Sequence, residues 1–222
     1  MELKEFLKKE SAMELSDSVI EQLWAYKNFL QEYNEKVNLT AITDDAGIVT
    51  KHFLDCLTIA PYIAENAKII DVGTGAGLPG IVLKIARPDL DVTLLDARGK
   101  KVKFLAEAVE LLDLKGVTCV HARAEDEFVK NFEVYDYVVS RAVAAMEQLS
   151  LWCLPFVKAY GKFIAMKGPN YEDELADAQA VIKTLGGKVV DIKEIALPDD
   201  ITRNVIIIDK IKTSPRKMPK KK

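Results

Sequence analysis

Residues 68–80 read KIIDVGTGAGLPG, and residues 81–86 continue as IVLKIA. The apolar run before Gly73 is typical of a buried strand, and the apolar run after the glycines is typical of a helix. Glycines allow sharp turns and let a ligand approach the backbone closely. A turn between a strand and a helix lies at the carboxyl edge of a parallel sheet, where ligands of such folds bind. The stretch therefore predicts an α/β fold with a ligand site at this turn.

Strands and helices alternate through the remainder of the chain. The spacing of the first five strands leaves room for helices between them, which predicts a mostly parallel, doubly wound sheet. Only a short PDD turn joins the last two strands, so they are expected to form an antiparallel hairpin. This pattern is that of the class I, Rossmann-like methyltransferase sheet. The predicted strands are Lys68–Val72, Asp91–Leu95, Val117–His121, Tyr135–Ser140, Gly161–Met166, Lys188–Leu197 and Arg203–Ile211.

The segment before the sheet has helical periodicity. Ser16 or Asp17 is expected to cap a helix that runs to about Glu35, and Asp44 to cap a second that continues to Ala60 and stops at Pro61. We therefore divide the chain into an N-terminal helical extension (1–60), a methyltransferase domain (61–212) and a flexible basic tail (213–222).

The chain of 222 residues has 31 basic and 34 acidic residues, and its basic residues are unevenly placed. Seven of them lie at or after Lys210 and no acid follows Asp209, so this end can bind phosphates or serve only as a solubilising terminus. Three widely spaced cysteines and two histidines indicate neither a disulfide framework nor a metal site. Without an apolar stretch of membrane length or a signal peptide, we expect a cytoplasmic monomer.

The glycine turn fits two classes of cofactor. Gly75, Gly77 and Gly80 satisfy the G-x-G-x-x-G pattern of nicotinamide and flavin sites. Asp71, however, ends the first strand just before the turn, where a carboxylate repels a pyrophosphate but can bind the ammonium of a methionine. The terminal hairpin also leaves no second nucleotide-binding half. Asp96 ends the second strand, where it suits ribose hydroxyls in either class. We therefore expect S-adenosylmethionine, with S-adenosylhomocysteine as product.

Motifs along nearly the whole chain resemble those of the bacterial 16S rRNA 7-methylguanosine methyltransferases, also called the ribosomal small subunit methyltransferase G or glucose-inhibited division protein B family. The resemblance rests on NEKVNLTAI, HFLDCL, DVGTGAGLPG, LLDARGKKVKFL, HARAED, VVSRAVA, AMKG and RNVIIIDKI. The glycine motif is shared by the whole superfamily, whereas its combination with VVSRAVA and NEKVNLTAI is specific.

The resemblance implies contacts that can be placed on this sequence. It implies that Gly73 and Leu78 contact the cofactor, that Ala124 and Glu125 line the adenine pocket, and that Arg141 lies beside the cofactor. A salt bridge from Arg141 to Asp71 or Glu125 is the structural alternative. The sequence departs from the family pattern at Cys56, where serine is usual, and in its tail, which lacks the usual tyrosine.

The expected chemistry is methylation of guanine N7 in 16S rRNA. Guanine N7 has a free lone pair and no proton to lose, so it needs positioning and no general base. The absence of a Pro-Cys or NPPY-like motif agrees with this reading, although a small-molecule or protein methyltransferase would look the same. An RNA-binding assembly factor that retains the cofactor pocket is the third possibility. Catalytic residues are therefore not assigned, with Arg141 as the candidate.

Several basic residues are candidates for contact with RNA phosphates. Lysines in the first turn of the helix after Asp96 oppose the helix dipole, and a broken local rule can mark function. A solvated helix face, or for Arg123 a neighbouring acid, is the structural alternative. His52 and Asp55 share a helix face, where local packing is a more common role than acid–base chemistry. The RNA candidates are Arg98, Lys100, Lys101, Arg123, Lys167, Arg203 and Arg216.

Overall fold

Seven strands form one mixed sheet in the computed structural model, which describes residues 2–216. The strands are β1 (Lys68–Val72), β2 (Asp91–Asp96), β3 (Val117–His121), β4 (Tyr135–Arg141), β5 (Val157–Lys167), β6 (Gly187–Leu197) and β7 (Ile201–Lys210). Their order in the sheet is β3-β2-β1-β4-β5-β7-β6. The order reverses between β1 and β4, and ligands of open α/β sheets bind at such a point.

Helices cover both faces of this sheet. They are α1 (Leu3–Glu10), α2 (Asp17–Asn34), α3 (Asp45–Ile48), α4 (Asp55–Leu57), α5 (Gly80–Ala86), α6 (Gly99–Leu111), α7 (Ala124–Glu127), α8 (Met146–Cys153) and α9 (Glu172–Thr184). A π-helical segment at Val49–Leu54 joins α3 to α4, and short 3₁₀ turns lie at Ala60–Tyr62 and Leu154–Phe156.

The strand directions confirm the predicted fold class. Strands β1 to β5 are parallel to one another, and β7 runs antiparallel to both β5 and β6. The hairpin turns at residues 198–200, where Asp199 and Asp200 have φ of +63° and +56°. Aspartate tolerates this left-handed conformation better than most residues, because its short side chain can form local hydrogen bonds.

The N-terminal helices share a hydrophobic core with one face of the sheet. Leu23 of α2 and Ile48 of α3 belong to the same buried cluster as Ile81 of α5 and Phe104 of α6. The Ser16 side chain caps α2 as predicted, accepting a hydrogen bond from the Val19 amide. The segment is thus packed against the sheet throughout.

The second predicted helix is helical but is not an α-helix over its whole length. Asp44 caps it as expected, with Oδ1 2.7 Å from the Gly47 amide nitrogen. The chain then widens into the π-helical segment, and the last helical turn ends at Leu57. π-helical turns are frequent at functional sites, and periodicity does not distinguish them from an α-helix.

The far end of the described chain is packed. Ser214 is buried, and its hydroxyl accepts a hydrogen bond from Lys210 and donates one to the Leu185 carbonyl. The predicted flexible tail therefore does not begin at residue 213, and residues 217–222 lie outside the described part. Among residues 2–216, no helix has both the length and the hydropathy that a membrane-spanning helix needs.

Candidate functional site

A cavity of about 370 Å³ opens at the carboxyl ends of β1, β2 and β4. Its wall is built from the end of β1 and Gly73, the Leu95–Arg98 segment, Lys101, the Ala122–Glu125 segment, the Ala142–Val143 corner and Trp152. The cavity thus lies at the point where the strand order reverses, as the glycine turn predicts.

The glycine loop is held by hydrogen bonds to the next strand. The Gly73 and Thr74 amides both donate to the Leu95 carbonyl, with N···O distances of 2.8 and 3.1 Å. Gly73 has φ +73°, and a Cβ added there would lie 2.7 Å from Cγ2 of Val143. Gly73 therefore provides both a left-handed backbone and the space for Val143 to pack against it.

The remaining cofactor candidates of the loop lie off the cavity wall. Gly75 and Gly77 shape the turn at φ +62° and +85°, and Leu78 is buried with 5% exposure. Lys101 Nζ lies 3.4 Å from the position of a Cβ built on Gly75, so the outer side of the loop faces this ammonium group. Direct cofactor contacts at these three positions remain predictions.

Asp71 lies beneath the glycine loop and is completely buried. Its Oδ2 accepts hydrogen bonds from Thr74 Oγ1 at 2.6 Å and from the Gly80 amide at 2.8 Å. Oδ1 has no hydrogen-bond partner among the residues that the structure describes. Burial raises the pKa of Asp71 to about 6, against the lowering effect of these two hydrogen bonds. The side chain of Asp71 therefore holds the two ends of the loop together. It does not line the cavity, whereas the predicted contact with the ammonium of a methionine would require it to do so.

Asp96 does line the cavity. Its Oδ2 accepts a hydrogen bond from the Gly75 amide at 3.0 Å, and its Oδ1 accepts one from the Arg98 amide at 2.8 Å. Each carboxylate oxygen retains a second lone pair, so these bonds leave capacity for hydroxyl donors. Asp96 thus joins the glycine loop to the start of α6 and faces the cavity.

Ala124 and Glu125 also line the cavity, and their contact with adenine stays a prediction from the resemblance. Glu125 Oε1 accepts a hydrogen bond from the Trp152 indole nitrogen at 2.6 Å. Trp152 was not predicted at this site, because its position in α8 has only the apolar pattern of a packed helix. Trp152 and Glu125 are 27 positions apart in the sequence, so no local pattern predicts their contact.

Arg141 points away from the cavity and into the N-terminal helices. Its Nη1 donates to Asp55 Oδ2 at 2.8 Å and to the Lys51 carbonyl at 2.9 Å. The predicted alternative partners, Asp71 and Glu125, are not the ones it pairs with. Burial lowers the pKa of Arg141, but the nearby Cys56 and Asp55 outweigh this, so the net shift is upward and the group remains charged.

The RNA candidates divide into two groups. Arg98, Lys101 and Arg123 line the cavity, and Lys100 is exposed beside them. Within residues 2–216, none of these four has a carboxylate within 4 Å. We call these four residues the basic rim.

The other three candidates have partners elsewhere. Lys167 is only 12% exposed and pairs with Glu174 at 2.5 Å. Arg203 lies 3.4 Å from Asp55, and the Arg216 guanidinium lies 5.4 Å from the centre of the Phe132 ring. The structure thus brings the basic rim to the cavity and leaves these three away from it.

Comparison with known proteins identifies relatives along nearly the whole chain. A family model described as rRNA small subunit methyltransferase G matches residues 19–205. Ribosomal RNA small subunit methyltransferase G of Alkaliphilus metalliredigens (strain QYMF) is 48% identical over 229 aligned residues, covering 100% of this chain and 96% of the relative. The protein of that name from Acetivibrio thermocellus is 51% identical over 211, covering 93% and 87%.

Solved structures share the fold at low identity. A SAM-dependent methyltransferase from Aquifex aeolicus superposes with a TM-score of 0.57 at 18% identity, over 82% of this chain and 98% of that one. M. jannaschii TYW2 in complex with AdoMet has a TM-score of 0.57 at 18% identity, over 76% and 77%. These likenesses confirm the class I methyltransferase fold. Because the family model spans most of the chain and relatives 48–51% identical cover nearly all of it, the chain belongs to the rRNA small subunit methyltransferase G family.

Proposed function

We propose that this chain transfers the methyl group of S-adenosylmethionine to N7 of a guanine in 16S rRNA. The observation that carries the proposal is the meeting of three features at one cavity: the glycine loop, the acidic end of β2 and the basic rim. The relatives are named for methylation of small-subunit rRNA, and the resemblance to their family specifies guanine N7.

The residues of the cavity fit S-adenosylmethionine. A volume of about 370 Å³ lies within the range of small-molecule sites. Asp96 can accept hydrogen bonds from ribose hydroxyls, and Ala124 and Glu125 form the wall suited to adenine. Gly73 lets the cofactor approach the loop backbone without a side chain between them. When bound, this cofactor supplies an electrophilic methyl group on a sulfonium.

Methylation of guanine N7 requires positioning of the base and no proton transfer. Among the described residues, the cavity wall contains no histidine or cysteine. Guanine N7 attacks through its lone pair and releases no proton, so the residues need only hold the base in line with the methyl group. The chemistry of N7 therefore matches the groups that the chain offers.

The basic rim favours an RNA substrate over a small molecule or a protein. Cations without a carboxylate partner at a cavity mouth attract a phosphate backbone. Their binding weakens as the salt concentration rises, because the release of counterions from the RNA then gains less free energy. We propose that the substrate is 16S rRNA in the small ribosomal subunit or an assembly intermediate. We propose that the enzyme acts as a monomer in the cytoplasm. Light scattering of the purified chain tests the oligomeric state.

The acceptor atom is tested by replacing it. A 16S rRNA transcript and a matched transcript made with 7-deazaguanosine are incubated with the enzyme and tritiated S-adenosylmethionine, with 30S particles as a second substrate. We expect methyl transfer to guanine in RNA and none to the 7-deaza transcript. Equal labelling of both transcripts would rule out N7. No transfer to any RNA, with retained cofactor binding, would favour the non-catalytic assembly factor.

A further inference from the structure

A buried polar cluster connects the N-terminal helices to the cavity. It contains Thr40, His52, Asp55, Arg141 and Arg203, and we call it the Arg141 cluster. The π-helical segment contributes His52 and α4 contributes Asp55. Arg141 is the last residue of β4, and Arg203 lies near the beginning of β7. None of these side chains lines the cavity.

Asp55 is the centre of the cluster. Its side chain is 3% exposed, and it lies 2.8 Å from Arg141 Nη1 and 3.4 Å from Arg203 Nε. Within residues 2–216, it is the only carboxylate within 4 Å of either guanidinium. Buried ion pairs add little net stability, because desolvation offsets their attraction. The arrangement therefore specifies a position for Arg141 more than it stabilises the fold.

His52 extends the cluster to the loop after α2. Nδ1 lies 3.2 Å from Arg141 Nη2, and Nε2 lies 2.8 Å from Thr40 Oγ1. Burial, together with the charge of Arg141, lowers the pKa of His52 to about 4. The imidazole is therefore neutral at pH 7 and bridges Arg141 to Thr40.

Arg141 directly precedes a corner of the cavity wall. The chain leaves Arg141 through Ala142, which has φ +55°, to Val143, and both of these residues line the cavity. Val143 packs against Gly73 of the glycine loop. On the other side, Lys167 Nζ donates to the Ala144 carbonyl at 3.1 Å. The corner is thus held at both ends, by Arg141 and by Lys167.

We propose that Asp55 and His52 are positioning residues that fix the Ala142–Val143 corner through Arg141, so that cofactor affinity depends on the N-terminal helices. The proposal rests on the proposed function, since it takes the cavity as the cofactor site. A left-handed, non-glycine Ala142 persists only where its surroundings over-determine it, and the Arg141 cluster provides that constraint.

The test compares Asp55→Asn with a matched control. Glu133→Gln also removes a carboxylate, 14% exposed, from an ion pair with Lys210, and Glu133 is not among the residues that line the cavity. S-adenosylhomocysteine affinity is measured by calorimetry on the full chain, alongside thermal stability. We expect Asp55→Asn to bind roughly three- to thirtyfold more weakly than wild type, and Glu133→Gln to bind as wild type does.

A second pair of variants separates positioning from folding. Asparagine places a polar atom near the position of Nδ1, so His52→Asn should recover much of the affinity that His52→Ala loses. This pair also decides the outcome if Asp55→Asn does not fold. Wild-type affinity in both Asp55→Asn and His52→Ala would overturn the inference alone, as would His52→Asn binding no better than His52→Ala. Failure of the wild type to bind S-adenosylhomocysteine would overturn the proposed function and the inference with it.

Discussion

Asp96→Asn is the substitution that most directly perturbs the wall of the cofactor cavity. The two carboxylate oxygens accept one backbone hydrogen bond each, from the Gly75 and Arg98 amides. An asparagine amide has one acceptor oxygen and one donor nitrogen, so one of these two backbone N–H groups must lose its partner. The glycine loop or the start of α6 then loses an anchor, and the ribose acceptor loses its charge.

The magnitude follows from the kind of bond that is lost. A hydrogen bond to a charged group contributes about 1.5–3 kcal/mol, and an unsatisfied N–H adds a desolvation cost. If this loss appears in binding, affinity for S-adenosylhomocysteine falls roughly 10- to 150-fold. Because Asp96 is buried, with 7% exposure, and accepts hydrogen bonds from two backbone amides, we expect a loss of stability as well as of affinity.

Calorimetric titration of S-adenosylhomocysteine into wild type and Asp96→Asn measures this loss. Asp96→Glu serves as the comparison, because it keeps the charge but moves the carboxylate by one methylene. We expect it to retain more affinity than the asparagine variant. Unchanged affinity in Asp96→Asn would refute the assignment of Asp96 to the cofactor site.

Three further substitutions test the loop, the buried carboxylate and the basic rim. Gly73→Ala forces a left-handed alanine against Val143, costing about 1–2 kcal/mol, and should lower Tm by about 2–8 °C; an unchanged melt would contradict the loop geometry. Burial raises the pKa of Asp71 from 3.8 to about 6, so the folded protein holds this proton more tightly than the unfolded chain does. The stability that the protonated carboxyl contributes is fully present below pH 3.8 and is lost as the pH rises through 6. The free energy of unfolding in urea is therefore measured for wild type and Asp71→Asn between pH 4 and 7. Over this range the variant should gain up to about 3 kcal/mol of stability relative to wild type, and the same pH dependence in both proteins would count against this pKa shift. Lys100→Glu should weaken RNA binding and reduce its salt slope by about 1 while sparing cofactor affinity, whereas Lys188→Glu, exposed on β6, should do neither; equal effects would remove the basic rim from the interface.

The class of the fold could be predicted because its signals are local. Apolar runs, glycine turns and helical periodicity specify each strand and helix within a few residues, and the short PDD turn specifies the hairpin. The π-helical segment could not be predicted in this way, because its hydrophobic pattern is close to that of an α-helix.

The candidate site was only partly predictable because its contacts are long-range. Asp96, Ala124 and Glu125 all line the cavity, because Asp96 ends β2 and the other two residues begin α7 just after β3. Arg141 does not line it, because its partner Asp55 is 86 residues away in the sequence and belongs to the N-terminal helices. Trp152 carried no signal for the same reason. Patterns identify residues at the edge of a sheet, but they do not say which way a side chain turns.

Methylation of one guanine at N7 in 16S rRNA can be measured in the cell. Mass spectrometry of nuclease-digested 16S rRNA is compared between a strain with this gene, a strain lacking it, and the latter complemented with wild type or Asp96→Asn. We expect a single 7-methylguanosine to disappear from 16S rRNA on deletion of the gene. It should return with the wild-type gene and return little or not at all with the variant. A full complement of 7-methylguanosine in the deletion strain would contradict this prediction.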